Sequence, residues 1–318
     1  MPKTKIKTME EFTQRVKTSL IAEFPDCTVD VVTVTKNNGL LLSGIIVKPV
    51  GVEVAPTVYM EVYFMELQSG RTFDDILEEI ISNYKMGLKD ITVNINPDKI
   101  KDFECIKNKI CYRLVNKEMN SELLSTLPHR DFYGLAIIYC IKLPSIDGAV
   151  RTIKVTNALV TLWGGVEEEQ LYELACRNTP VLERGNVMPL TNVGDIASRL
   201  HIQKDRNQQH LSCDGFDITM TGKKLQQIYV TTNMEKVNGA CVILYDGLLR
   251  TMAEYIGNFY ILPSSVHECI LAPGDPEDAK CMLSMVQEVN ATVVSDEEVL
   301  SNNCLYYDEK SHSLKLIE

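Results

Sequence analysis

Ile228-Tyr-Val-Thr-Thr-Asn233, Gly239-Ala-Cys-Val-Ile-Leu-Tyr245 and Phe259-Tyr-Ile-Leu-Pro-Ser-Ser-Val-His-Glu-Cys-Ile-Leu-Ala-Pro273 are the segments whose reading decides the fold. Each opens with a short run of β-branched and aromatic residues, and each run is bounded by Asn, Gly or Pro, the pattern of short strands. Asn238-Gly239 supplies a turn, because both residues tolerate positive φ. The order from Tyr229 to Pro273 is therefore strand, strand, helix, strand, strand. The strands are Ile228–Thr232, Ala240–Tyr245, Phe259–Leu262 and Val266–Leu271, and the helix is Leu248–Ile256 with Gly257 as its stop. Pro263-Ser264-Ser265 turns the second hairpin. Connections this short join antiparallel strands, since parallel pairs need a long crossover.

The same grammar extends outward. Pro276–Val289 reads as a helix, and Cys304–Tyr307 with Ser313–Ile317 as a hairpin turning at Asp308-Glu-Lys-Ser311. The C-terminal part is thus expected to hold a sheet of roughly three to five strands. At the other end, Thr8-Met-Glu-Glu11 is a capping box. Phe12, Val16 and Leu20 follow at helical spacing, so a helix is expected to run to Phe24, where Pro25 stops it. Thr28–Thr35 and Leu40–Val47 flank the turn Asn37-Asn38-Gly39. Pro56 opens a helix over Thr57–Gln68 closed by Gly70, and Thr72 caps another ending near Gly87. The Tyr59, Tyr63, Phe64 stripe, with Val58, Val62 and Met65, reads as core packing. Asn96-Pro-Asp-Lys99 is a helix start. Lys109–Val115 and Phe132–Leu143 read as strands, with a short helix at Lys117–Leu124 between them. Val155–Trp163 is helix or strand, and a helix from Val166 ends at Thr179-Pro180.

From Glu183 to Lys224 the composition turns polar, and Ile196–Leu200 is its one helical fragment. This stretch reads as a linker or insertion, which divides the chain into an N-terminal α+β domain (1–182), the polar segment (183–224) and a C-terminal α+β domain (225–318). About two domains suit a chain of 318 residues. The expected class is α+β, with mostly antiparallel sheets and helices packed on one face.

Composition excludes several function classes. Hydrophobic residues make up 45% of the chain and charged residues 24%, which suits a globular core. The net charge of −11 argues against phosphate-driven nucleic-acid binding, and the longest basic run is Lys3-Thr-Lys-Ile-Lys7. No apolar run approaches the roughly 20 residues needed to span a membrane, and no secretory leader is legible. The ten cysteines are scattered, with no C-x-x-C spacing, and read as reduced thiols of a cytoplasmic protein.

Chemistry is harder to find. No dinucleotide or phosphate-loop fingerprint is present, so no cofactor is expected. His201 and His210, with Asp205 and Asp214, match no metal-ligand spacing, and His267-Glu268 is followed by Leu271 where a zincin helix needs His. His129-Arg130-Asp131 lacks the neighbours of a kinase catalytic loop. The one compact polar cluster is Ser264, Ser265, His267 and Glu268. It could supply a nucleophile, a base and an acid, yet consecutive strand residues point to opposite faces. The turn is therefore expected to be structural, with at least one side chain turned inward. Asn233, Asn238 and Tyr245 on the preceding hairpin are its expected partners. Asn233, Asn238, Tyr245 and His267 together form the candidate ligand-binding set.

Asn233 through Asn238-Gly-Ala, Leu244-Tyr-Asp-Gly-Leu-Leu249 and Tyr260-Ile-Leu-Pro-Ser-Ser-Val-His-Glu268 carry a resemblance. So do Asn37-Asn38-Gly39, Pro56-Thr-Val-Tyr59, Leu162-Trp-Gly164 and Glu173-Leu-Ala-Cys-Arg-Asn-Thr-Pro180. Over nearly its whole length the chain resembles a family of proteins from Gram-positive gut bacteria, catalogued as a domain of unknown function. The resemblance implies bacterial origin and cytoplasmic location, and no activity. Two readings follow. One is a non-enzymatic binding or regulatory protein that recognises a protein or a small ligand. The alternative is a hydrolase-type enzyme built on the Ser-Ser-Val-His-Glu turn.

Overall fold

A computed structural model describes residues 6–51, 55–94, 97–144, 150–190, 208–221 and 227–318. The protein is α+β, with mostly antiparallel sheets. It divides into two compact units, residues 1–101 and 102–318. The boundary thus falls ahead of the first strand of the second unit and not at the polar stretch 183–224. The reason lies in backbone bonding. Residues 185–189, 208–212 and 216–221 are strands that join the same sheet as the C-terminal strands, despite their polar composition. Ile196–Leu200, His201 and Asp205 lie outside the described residues, as does part of the Lys3–Lys7 run.

In the first unit, α1 (Met9–Glu23) is capped by Thr8, whose Oγ1 accepts the Glu11 N–H at 3.1 Å. Strands β1 (Cys27–Thr35) and β2 (Leu41–Pro49) pair antiparallel around Asn38 and Gly39, at φ 59° and 72°. β3 (Thr57–Tyr59) adds to β2, so the helix expected from Thr57 starts only at Met60, as α2 (Met60–Gln68). α3 runs over Phe73–Asn94, straight past Gly87. That glycine is a packing device instead of a stop, since a Cβ there would meet Pro56 at 3.1 Å. α4 spans Pro97–Lys101. Phe12, Val16, Leu20, Val29, Ile45, Val47, Met60, Ile76, Ile80 and Tyr84 form the core, with Tyr63 and Phe64 packed against it. Val62 and Met65 face solvent, so the aromatic stripe is core on one side only.

The second unit holds two sheets. After α5 (Phe103–Ile106), β4 (Ile110–Asn116) pairs with β6 (Leu135–Lys142), whose other side takes β5 (His129–Phe132) and β7 (Thr152–Lys154). The single strand expected over Phe132–Leu143 is broken by a turn at Tyr133 and Gly134, both at positive φ. Helices α6 (Ser121–Leu124) and α7 (Asn157–Leu162) are short, and Thr156 caps the latter. α8 (Glu168–Leu182) packs on β4 and β6 and continues two residues past Pro180.

Among the described residues the larger sheet has eight strands: five from the C-terminal part, within the three to five expected there, and three from the polar stretch 183–224. They are β8 (Gly185–Pro189), β9 (Gln208–Ser212), β10 (Phe216–Thr221), β11 (Tyr229–Asn233), β12 (Phe259–Leu262), β13 (Cys269–Pro273), β14 (Cys304–Asp308) and β15 (Ser313–Ile317), in the order β15-β14-β12-β13-β11-β8-β10-β9. Among the described strands only β8 and β10 run parallel. Gly239–Leu244, expected to be a strand, is a buried 3-10 helix. β13 starts three residues later than expected, so Pro263–Glu268 is a connection and not strand. A helix lies against each face of this sheet. α10 (Ala279–Thr292) sets Val286 against Tyr260, Ala272 and Tyr306, whereas Tyr255 of α9 (Leu248–Ile256) meets Tyr229 across the other face. Among the described residues no helix is long and apolar enough to cross a membrane.

All ten cysteines are free thiols, with Cys105 and Cys281 exposed and Cys111, Cys140, Cys241, Cys269 and Cys304 buried. Thiol titration with a chromogenic disulfide is therefore expected to count two fast-reacting groups in the native protein and ten in denaturant. A total below ten after anaerobic purification overturns the assignment.

Candidate functional site

The connection Pro263–Glu268 is fixed by its main chain before any side chain acts. Leu300 N–H donates to Ser264 O at 2.9 Å, Val266 N–H to Glu298 O at 2.9 Å, and Ala240 N–H to Val266 O at 3.1 Å. Ser264 and Ser265 are buried. Ser265 Oγ accepts the His267 N–H at 3.0 Å, the two-residue reach expected of a serine capping its own turn. His267 is held by its carbonyl as well, which accepts from Thr232 Oγ1 at 2.8 Å.

Both ring nitrogens of His267 are engaged. Nδ1 lies 3.1 Å from the Asn238 nitrogen and accepts its N–H, and Nε2 lies 3.2 Å from Glu298 Oε1. A nitrogen that accepts carries no proton, so the proton of the neutral ring sits on Nε2 and is donated to Glu298. Ser265 meets the main chain of His267 and not its ring. The residues expected to supply nucleophile and base are thus adjacent, without the serine–imidazole hydrogen bond that nucleophilic catalysis needs. Strand alternation is not what separates them, because this segment is not strand. Internal hydrogen bonding keeps them apart instead.

Glu268 is half-buried, and burial pushes its carboxyl above the usual carboxylate range; His267 opposes this shift and Glu298 adds to it. The sign follows directly. A carboxyl easier to protonate when folded disfavours the folded state as pH rises through its ordinary range, and the penalty persists at neutral pH. Glu268→Gln is accordingly expected to raise the melting temperature at about pH 7 and to leave it nearly unchanged at about pH 4. A lower melting temperature near neutral pH counts against the shift.

The turn after β11 joins this cluster. Asn233, fully buried, closes it from below. Its Nδ2 donates to Val237 O at 2.8 Å and its Oδ1 accepts the Val237 N–H at 3.2 Å. Lys236 and Asn238 both adopt left-handed backbone, at φ 56° and 54°. Asparagine tolerates that geometry, so the cost of about 1–2 kcal/mol falls on Lys236. Met234, Glu235 and Lys236 point outward, and Met234 is 61% exposed. His267 thus meets the main chain of Asn238, while Asn233 holds Val237 of the same turn. Tyr245 does not join them directly, because its hydroxyl donates to Glu183 O at 2.5 Å.

That carbonyl leads to a group the sequence does not point to. Glu183 caps α8 and is fully buried. Arg113 on β4 grips it with two bonds, Nη1 to Oε2 at 2.7 Å and Nη2 to Oε1 at 2.5 Å. Lys142, at the end of β6, adds a contact of 2.9 Å to Glu183 and one of 2.5 Å to Glu235 on the exposed turn. Asn233 Nδ2 lies 3.4 Å from Glu183 Oε2. The buried ion network thus runs to the surface through the same turn. One signal does exist in the sequence: Arg113 interrupts the apolar run Ile110-Cys-Tyr-Arg-Leu-Val115, and a buried guanidinium needs a carboxylate. Nearby thiols are not activated. Burial pushes Cys241 up to about 12 and Cys111 higher still, against the pull of Arg113.

The remaining polar candidates are structural ties. Arg130 pairs with Glu168 at 2.8 Å and also with Glu169. Arg184 clamps Asp217 and Ser212 across β9 and β10, and its guanidinium, aided by Ser212, lowers the Asp217 carboxyl to about 2. His210 meets Thr219 Oγ1 at 3.1 Å. Among the described residues no group of three His, Cys, Asp or Glu side chains is placed to hold a metal ion.

Residues 9–309 match the model of a family of unknown function, DUF5688, and the chain belongs to that family. No curated protein and no solved structure matches it.

Proposed function

We propose that this DUF5688 member is a non-enzymatic binding or regulatory protein of a bacterial cytoplasm, and that it contacts a partner protein through the Met234–Asn238 turn. One observation carries the reading. The turn holds Lys236, a non-glycine residue, in left-handed backbone, and Asn233 and His267 lock the turn from below while Met234 and Lys236 project outward. Strained backbone persists only where its surroundings enforce it, and it gathers at functional sites. A loop fixed in advance loses little entropy on binding, so an exposed methionine beside a cation makes an economical contact. The hydrolase alternative has weaker support, because the imidazole is occupied on both sides and neither serine reaches it.

The test compares the wild-type chain with a Met234→Asp/Lys236→Glu variant, each crosslinked in its producing cells and analysed by mass spectrometry. One stoichiometric partner is expected with the wild type and at least tenfold less of it with the variant, at equal melting temperature. Equal recovery overturns the reading. So does turnover of activated ester substrates by the wild type that Ser265→Ala abolishes.

A further inference from the structure

We propose that His267 is an acid-operated latch: the neutral imidazole holds the Met234–Asn238 turn closed, and protonation at Nδ1 releases it. The geometry sets the direction. Nδ1 accepts the Asn238 N–H at 3.1 Å, and Nε2 already carries the proton facing Glu298 at 3.2 Å. A second proton taken from solvent must therefore go to Nδ1. Both ring nitrogens are then donors, and Nδ1–H confronts the Asn238 N–H.

Something must move, and the ring is the worse candidate. The His267 main chain is tied at its N–H to Ser265 Oγ and at its carbonyl to Thr232 Oγ1. The segment before it is buried and bridged to Val299. Protonation also turns the Glu298 contact into an ion pair, which holds the ring where it is. The turn has the opposite character. Met234, Glu235 and Lys236 are exposed, and although Asn233 still clamps Val237, the Asn238 amide loses its acceptor and is free to turn away. The ionisable groups around the latch are Glu298 at Nε2, the adjoining Glu268, and on the turn itself Lys236 and Glu235, the latter paired with Lys142. A protonated Nδ1 cannot accept the Asn238 N–H, so the two are opposed. That opposition couples the proton to the turn. The latch is independent of partner binding, since the turn opens in acid whether or not it makes a contact.

The test is nitrogen and amide-proton NMR on the labelled full chain between about pH 8 and pH 5, the range in which an imidazole titrates. The Nδ1 resonance is expected to move from an acceptor to a protonated position. Over the same midpoint the exchange protection factor of the Asn238 amide is expected to fall on the order of tenfold, the loss of one hydrogen bond. His267→Asn keeps an acceptor oxygen near the Nδ1 position without titrating, and its Asn238 protection is expected to stay flat with pH. The latch is overturned if the ring does not titrate in this range, if it titrates while Asn238 protection holds, or if His267→Asn loses protection as the wild type does. Should His267→Asn not fold, coincidence of the two wild-type midpoints supports the latch, and their separation overturns it.

Discussion

Glu183→Ala is expected to lower the unfolding free energy by about 3–5 kcal/mol, the range for removing one partner of a buried ion pair. The carboxylate is fully buried, and Arg113, whose side chain is 4% exposed, depends on it for two hydrogen bonds. Without it, a guanidinium that cannot lose its proton stays inside the unit without its two carboxylate bonds, keeping the Tyr112 carbonyl as an acceptor. Lys142 suffers less, because it keeps Glu235. The double variant Arg113→Met/Glu183→Leu is therefore expected to be more stable than Glu183→Ala, since removing both charges leaves nothing uncompensated. Urea unfolding near neutral pH compares both variants with the wild type. A loss below about 1 kcal/mol for Glu183→Ala, or a double variant that adds the single losses, denies the network its structural role.

What the sequence discloses here follows the reach of each interaction. The Asn38-Gly39 turn, the Thr8 cap and the β14–β15 hairpin are local, and residues a few positions apart specify them. Gly239–Leu244 reads as strand and folds as helix because an unbroken apolar run has no period: buried strand and buried helix read alike. In the structure Gly239 to Ile243 are all buried, which no alternation could signal. β8, β9 and β10 are hidden for another reason. β9 is a strongly exposed edge strand, and β8 is bounded by Gly185 and Pro189, so neither shows the apolar pattern of a central strand. Their place is set by backbone pairing with β10 and β11.

The site divides the same way. His267 and Asn238 read as neighbours because hairpin topology brings their segments together. Glu298, which completes the imidazole, comes from 31 positions away, beyond any local pattern. Glu183 and Arg113 are 70 residues apart, and only packing joins them. Arg113 within an apolar strand announces that a partner must exist without saying which carboxylate it is.

Gly239→Ala is expected to be about as damaging, with a loss of about 3 kcal/mol or more, the upper range for forced overpacking. A Cβ at that position would stand 2.3 Å from Thr232 Oγ1, 2.5 Å from the Asn233 nitrogen and 2.7 Å from the His267 carbonyl oxygen. Two of those three atoms are main chain and cannot rotate aside. The third is the hydroxyl that anchors the His267 carbonyl, so its displacement loosens the imidazole as well. Gly247 isolates the cause. It has φ 77°, and a Cβ added there would meet nothing within 4 Å, so Gly247→Ala carries backbone strain alone, about 1–2 kcal/mol. Equal losses for the two variants in urea unfolding would mean that β11, the Met234–Asn238 turn and His267 are not in close contact. The clamp on the turn would then have no structural basis, because Gly239 is the point where all three segments approach within van der Waals distance.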